Sequence, residues 1–148
     1  LKAVVESADI AVAHTIQLAV APVFLLTGIG AILAVITNRL GRIIDRARIL
    51  EEKLENASPN LETVFRTDLA ILSRRAKLIN RAITLCTTTA LLICTVIAVL
   101  FLSAFFRFDT TVPVAVLFVA AMASFFLGLL WFLKEIHLAT TNLRIGPR

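Results

Sequence analysis

Residues 82–106 read AITLCTTTALLICTVIAVLFLSAFF, a run of 25 residues without one charged side chain. A helix needs about 20 residues to cross the hydrocarbon core of a bilayer. A second uncharged run, Thr110–Leu133, follows almost at once, and a third lies upstream within Ile10–Asn38, most apolar from Leu18 to Thr37. All three must be helical in lipid, where an open strand edge has nothing to bond. The whole chain agrees with this reading. Of its 148 residues, 59% are hydrophobic and 17% charged, and the mean hydropathy is +0.91. A soluble domain sits near 45–50% apolar and about 25% charged. The expected fold is an all-α integral membrane protein with three transmembrane helices.

Two prolines stand inside these runs without contradicting them. Pro22 is expected in the first turn or two of the first span and Pro113 in the first turn of the third. There the missing N–H would have had no helical partner. Arg107, Phe108 and Asp109 alone separate spans two and three, so residues 82–133 form a hairpin with its turn at 107–109.

Charge sets the expected orientation. Lys and Arg number 15 against 10 Asp and Glu, a net charge of +5. In a soluble chain that excess would suggest nucleic acid, but here its distribution points to a membrane surface. Residues 39–81 hold 10 basic and 6 acidic side chains, and the C-terminal tail 134–148 holds three basic and one acidic. The N-terminal segment has Lys2 against Glu6 and Asp9. The positive-inside rule then puts the N-terminus outside and both 39–81 and the C-terminus in the cytoplasm. Four segments result: 1–38 with the first span, the excursion 39–81, the hairpin 82–133, and the tail. Trp131 suits an anchor at the inner interface.

The excursion is patterned. Leu40, Ile43, Ala47, Leu50, Leu54 and Ala57 follow alternating spacings of three and four, as do Phe65, Leu69, Leu72, Ala76, Ile79 and Ile83. Each set is a heptad seam. Ser58-Pro59-Asn60 breaks the first arm and starts the second, with Ser58 as N-cap, Pro59 at the first helical position and Glu62 in the first turn. A cytoplasmic antiparallel helical hairpin of coiled-coil type is expected, each arm continuing a span. Its membrane-proximal parts are basic. Arg39, Arg42 and Arg46 share one helical face, and Arg74, Lys77 and Arg81 share another. These six are a solvated topology signal and also a candidate site for anionic lipid headgroups, and the two roles are compatible.

The string Asn38-Arg39-Leu40-Gly41-Arg42-Ile43-Ile44-Asp45-Arg46, preceded by Ala21-Pro22-Val23, resembles the domain of unknown function 2721 family of small bacterial membrane proteins. The second arm Arg74-Arg75-Ala76-Lys77-Leu78-Ile79-Asn80-Arg81 and the closing Phe132-Leu133-Lys134-Glu135-Ile136-His137 extend the likeness over nearly the whole chain. The resemblance implies three spans and a place in the bacterial inner membrane. It brings no catalytic or ligand residues.

The residues themselves name no chemistry. His14 and His137 fall at opposite faces in the expected topology, so one chain cannot pair them on a haem. Cys86 and Cys94 lie in an apolar run without metal-ligand spacing. No charge sits in the heart of a span, which disfavours ion-coupled transport. No phosphate loop or catalytic triad pattern is present, and Asp45, alone among arginines, reads as their partner. Catalytic, cofactor and metal sites are therefore not expected. What remains is packing. Ala120, Ser124 and Gly128 recur every four residues, as do Gly30 and Ala34, and small residues let helices approach closely in lipid. Ile44 and Ile71 fall off the seams and would face water in a lone hairpin. The expectation is a non-catalytic membrane scaffold or accessory subunit, as a homo-oligomer or beside a partner membrane protein. The alternative is an oligomeric pore lined by Thr84, Thr87, Thr88, Thr89 and Thr95.

Overall fold

A computed structural model describes residues 2–55, 58–106 and 109–141, with side chains from residue 9 onward except that of residue 105. It consists of three helices, α1 (Lys2–Glu55), α2 (Pro59–Phe106) and α3 (Thr111–Thr141), with no strand among the described residues. Each is long and apolar enough to cross a membrane. Ala57, Arg107, Phe108 and residues 142–148 lie outside the described residues.

Local chemistry accounts for the helix starts. At the head of α2 the N–H groups of Leu61 and Glu62 donate to the Ser58 carbonyl at 2.9 and 3.0 Å. Pro59, which has no N–H to leave unpaired, takes the first helical position. Glu62 then pairs with Arg66 one turn on, at 2.8 Å. At the head of α3 the Thr111 N–H donates to the Asp109 carboxylate at 3.0 Å. That bond holds the Asp109 carboxyl below its usual range. Pro113 follows in the first turn, as its spacing requires.

Pro22 departs from expectation. Helix α1 begins at Lys2, so this proline lies well inside a helix and not near its start. No glycine or earlier proline interrupts residues 2–21, and the helix simply begins further upstream. The Leu18 carbonyl loses its usual i+4 donor there, a loss that apolar helices tolerate. At the other end, α3 does not stop with the uncharged run at Leu133. It carries Lys134–Thr141 as helix, because nothing between Leu133 and Thr141 breaks it.

The chain divides into two compact units. Unit one contains Leu1–Ile32 and Cys86–Phe126. Its buried positions include Ala19 and Ile29 on α1, Cys86, Thr89, Ile93 and Val96 on α2, and Ala121 on α3. The α2 set repeats at three and four residues, the spacing of a single helical face. Cys86 and Cys94 are both free thiols, one buried and one exposed.

Unit two contains Leu33–Leu85 and Leu127–Arg148. Its core is Ile36 and Ile43 from α1, Leu72, Leu78, Ile79 and Ala82 from α2, and Gly128 and Glu135 from α3. Ile43, Leu72 and Ile79 belong to the two seams read from sequence, and every other described seam residue is half-buried. The off-seam residues Ile44, Ile49 and Val64 are exposed, whereas Ile71 is half-buried.

The seam yields a direct test. Ile79 is completely buried, so Ile79→Ala should destabilise the protein by about 2–5 kcal/mol. Thr63 is exposed, and Thr63→Ala should stay within about 0.5 kcal/mol of the parent. Thermal unfolding followed by circular dichroism measures both.

Candidate functional site

Unit two holds a buried ion triad that joins all three helices. Glu135 is fully buried on α3. It lies seven residues after Gly128 and fourteen after Ala121, both buried, so the three share one helical face. From α2, Arg75 donates to Glu135 Oε1 through Nε at 3.0 Å and Nη2 at 2.8 Å. From α1, Arg39 Nη2 stands 3.1 Å from Oε2. That last approach is an ion pair without an aligned hydrogen bond, so Oε2 keeps charge compensation but lacks a well-placed donor. The Arg39 guanidinium also lies 5.7 Å from the centre of the Phe132 ring.

A carboxylate removed from water costs several kcal/mol unless a partner compensates it. Here two guanidiniums do so while retaining some solvent contact, with side-chain exposures of 27% for Arg39 and 21% for Arg75. Their unused N–H groups can still hydrate or meet another anion. Asp45, expected as the arginines' partner, is exposed and takes part in none of the ion pairs among the described residues. Glu135 from the third helix supplies the counter-ion of Arg39 and Arg75 instead.

The six basic residues singled out by spacing fall into two separate places. Arg39, Arg42 and Arg46 line a cavity of about 260 Å³ together with Arg75, Ile43 and Leu72. Arg74, Lys77 and Arg81 line a larger one of about 510 Å³, whose other wall is built by α3 with Trp131, Lys134, His137 and Leu138. Trp131 is flanked by two cations, the Arg81 guanidinium at 4.9 Å and the Lys134 ammonium at 5.2 Å from its ring centre. Cation–π attraction of this kind contributes about 0.5–1 kcal/mol at exposed sites.

The small-residue positions divide as well. Gly30 and Ala34 are exposed, and a side chain added at Gly30 would meet nothing within 4 Å. On α3, Ala120 is exposed, Ser124 half-buried and Gly128 buried. The face that packs is the Ala121–Gly128–Glu135 line, one residue away from the expected stripe at its start. Sequence reasoning missed Glu135, Arg75 and Lys134 as site residues. A signal for Glu135 was present: it is the only acidic residue after Asp109 and stands at a seven-residue interval from a glycine. Among the described residues no group of three or more His, Cys, Asp or Glu could hold a metal.

Removing the buried charge should show its structural weight. Glu135→Gln leaves two partly buried guanidiniums without a counter-ion and should cost about 3–5 kcal/mol. Replacing all three members together, with Glu135→Leu, Arg39→Met and Arg75→Met, should recover most of that loss. The comparison of the two melting curves decides whether the triad acts as a unit.

Among curated proteins and among solved structures nothing matches the chain. A family model does, over residues 19–145, a range that takes in most of α1, all of α2 and α3, and both basic cavities. The chain therefore belongs to the family described as Protein of unknown function (DUF2721), as the Asn38–Arg46 string had suggested.

Proposed function

We propose that the protein is a non-catalytic scaffold or accessory subunit of a bacterial inner membrane, acting as an oligomer or bound to a larger membrane complex. In this reading residues 39–81 form a cytoplasmic helical hairpin, the N-terminus is outside and the C-terminus inside. The excess of Lys and Arg in 39–81 and 134–148 supports that orientation. The basic residues next to the spans then meet the anionic headgroups of the inner leaflet.

The observation that carries the reading is apolar surface on the charged stretch. Ile44 is 41% exposed, Leu61 50%, and Ile49 and Val64 each 53%. In the proposed topology these side chains lie beyond the reach of lipid tails. Leaving them in water forgoes roughly 25 cal/mol for every Å² of apolar area. Neighbouring hairpins or a partner protein would cover them. The open Gly30–Ala34 face supplies a second, membrane-level contact of close approach.

A pore lined by the threonines of α2 is the competing reading. Against it, the Thr84 and Thr95 hydroxyls donate to the carbonyls of Asn80 and Leu91 on their own helix, and Thr89 is fully buried. Hydroxyls used in this way favour helix packing, and single-channel recording of the reconstituted protein should find no current.

Two measurements test the proposal. In a background lacking Cys86 and Cys94, a cysteine at Ser58 should label only from the cytoplasm and one at Ser7 only from outside. Ile44→Ser combined with Ile49→Ser should release monomers from the native-membrane assembly, with helix content unchanged. A parent particle of one chain plus detergent, with no co-purifying protein, would sink the scaffold reading.

A further inference from the structure

We propose that the cleft between α2 and α3 lined by Arg74, Lys77, Arg81, Trp131 and Lys134 binds the phosphodiester headgroup of an anionic phospholipid. The inference rests on the membrane placement proposed above and is independent of the oligomer.

The cleft has a volume of about 510 Å³ and no carboxylate among its lining residues. Four cations line it, and none of them is in an ion pair among the described residues. Glu135 cannot serve, because it is buried against Arg39 and Arg75, neither of which lines this cleft. Trp131 holds Arg81 and Lys134 near its ring, but an aromatic ring carries no net charge and leaves their repulsion in place. Arg81 and Lys134 are thus positioned, no carboxylate among the described residues pairs with any of the four cations, and a bound anion would supply that charge. Guanidinium and ammonium donors together suit a phosphate group, whose oxygens accept in several directions.

Position selects a lipid over a free anion. Arg81 is the last charge before the uncharged run 82–106, and Lys134 is the first after the run 110–133. The cleft is consequently built where two apolar runs end, at the depth of headgroups. Leu78 and Leu138 add apolar lining that a free phosphate would not use.

The chain contains a single tryptophan, so its fluorescence reports this cleft alone. The full-length protein is reconstituted in bilayers of phosphatidylcholine and phosphatidylglycerol, with bromine on the acyl chains of one or the other. Quenching of Trp131 gives the relative affinity of the two lipids at the cleft. Phosphatidylglycerol should be preferred, by about five-fold for each cation that contributes. Arg81→Gln with Lys134→Gln should erase most of that preference. Arg74→Gln with Lys77→Gln, both at exposed positions, should lower it as well and serves if the first pair disturbs folding. Arg42→Gln with Arg46→Gln removes the same charge from the other cavity and should leave the preference intact. Equal quenching by both lipids, no quenching by either, or an equal loss in the Arg42/Arg46 control would overturn the proposal. So would inorganic phosphate that abolishes the preference at matched ionic strength, since the cleft would then take the free anion.

Discussion

The buried carboxylate of Glu135 is the constraint on which the second unit depends. Apolar seams tell three helices that they should pack, but they tolerate slippage along one another because one methyl group resembles the next. A carboxylate with two guanidiniums does not. Arg75 reaches Oε1 with two nitrogens from α2, and Arg39 reaches Oε2 from α1. Any shift in register by one turn would leave a desolvated charge without its partner, at a cost of several kcal/mol. The triad therefore fixes the relative height of three helix segments within that unit. Its net contribution to stability is smaller than its contribution to register, because taking the three charges out of water offsets much of their attraction.

Small residues make this possible. Ala121 and Gly128 precede Glu135 at seven-residue intervals and are buried, so small residues stand on the face of α3 that carries the carboxylate. In contrast, a side chain added at Gly30 on α1 would meet nothing within 4 Å, and Ala34 is exposed. The same residue type thus has an internal use on one helix and an unassigned one on another, and burial alone separates the two.

The three apolar helices and the break at Ser58–Pro59 were legible in the sequence because each rests on a local rule: run length, proline position, capping. The spacing of apolar residues also marked buried positions, Ile43 on α1 and Leu72 and Ile79 on α2, because each set repeats along one face of its own helix. The candidate site was legible by halves. Spacing grouped Arg39 with Arg42 and Arg46, and Arg74 with Lys77 and Arg81, and each group does line one cavity. The partners from α3 were not legible, because 60 residues separate Arg75 from Glu135 and nothing local links them. Asp45 attracted attention by sequence proximity to arginines, whereas the carboxylate that pairs with them arrives from the far end of the chain. Pro22 misled for a related reason: a proline marks a helix start only when the residues before it have some cause to be non-helical.

A single carboxylate also explains why two basic cavities of similar composition differ in what they need. Arg39 and Arg75 line the smaller cavity and are both engaged by Glu135, so half of its four guanidiniums already have a counter-charge. The larger cavity has four cations and only an aromatic ring between two of them. The protein could have balanced both by a second acidic residue on α3, and residues 136–141 contain none. Among the described residues, two cations of the smaller cavity and all four of the larger are thus without a carboxylate partner. In the membrane placement proposed above, the fixed negative charge that the four cations of the larger cavity would meet is the surface of the bilayer.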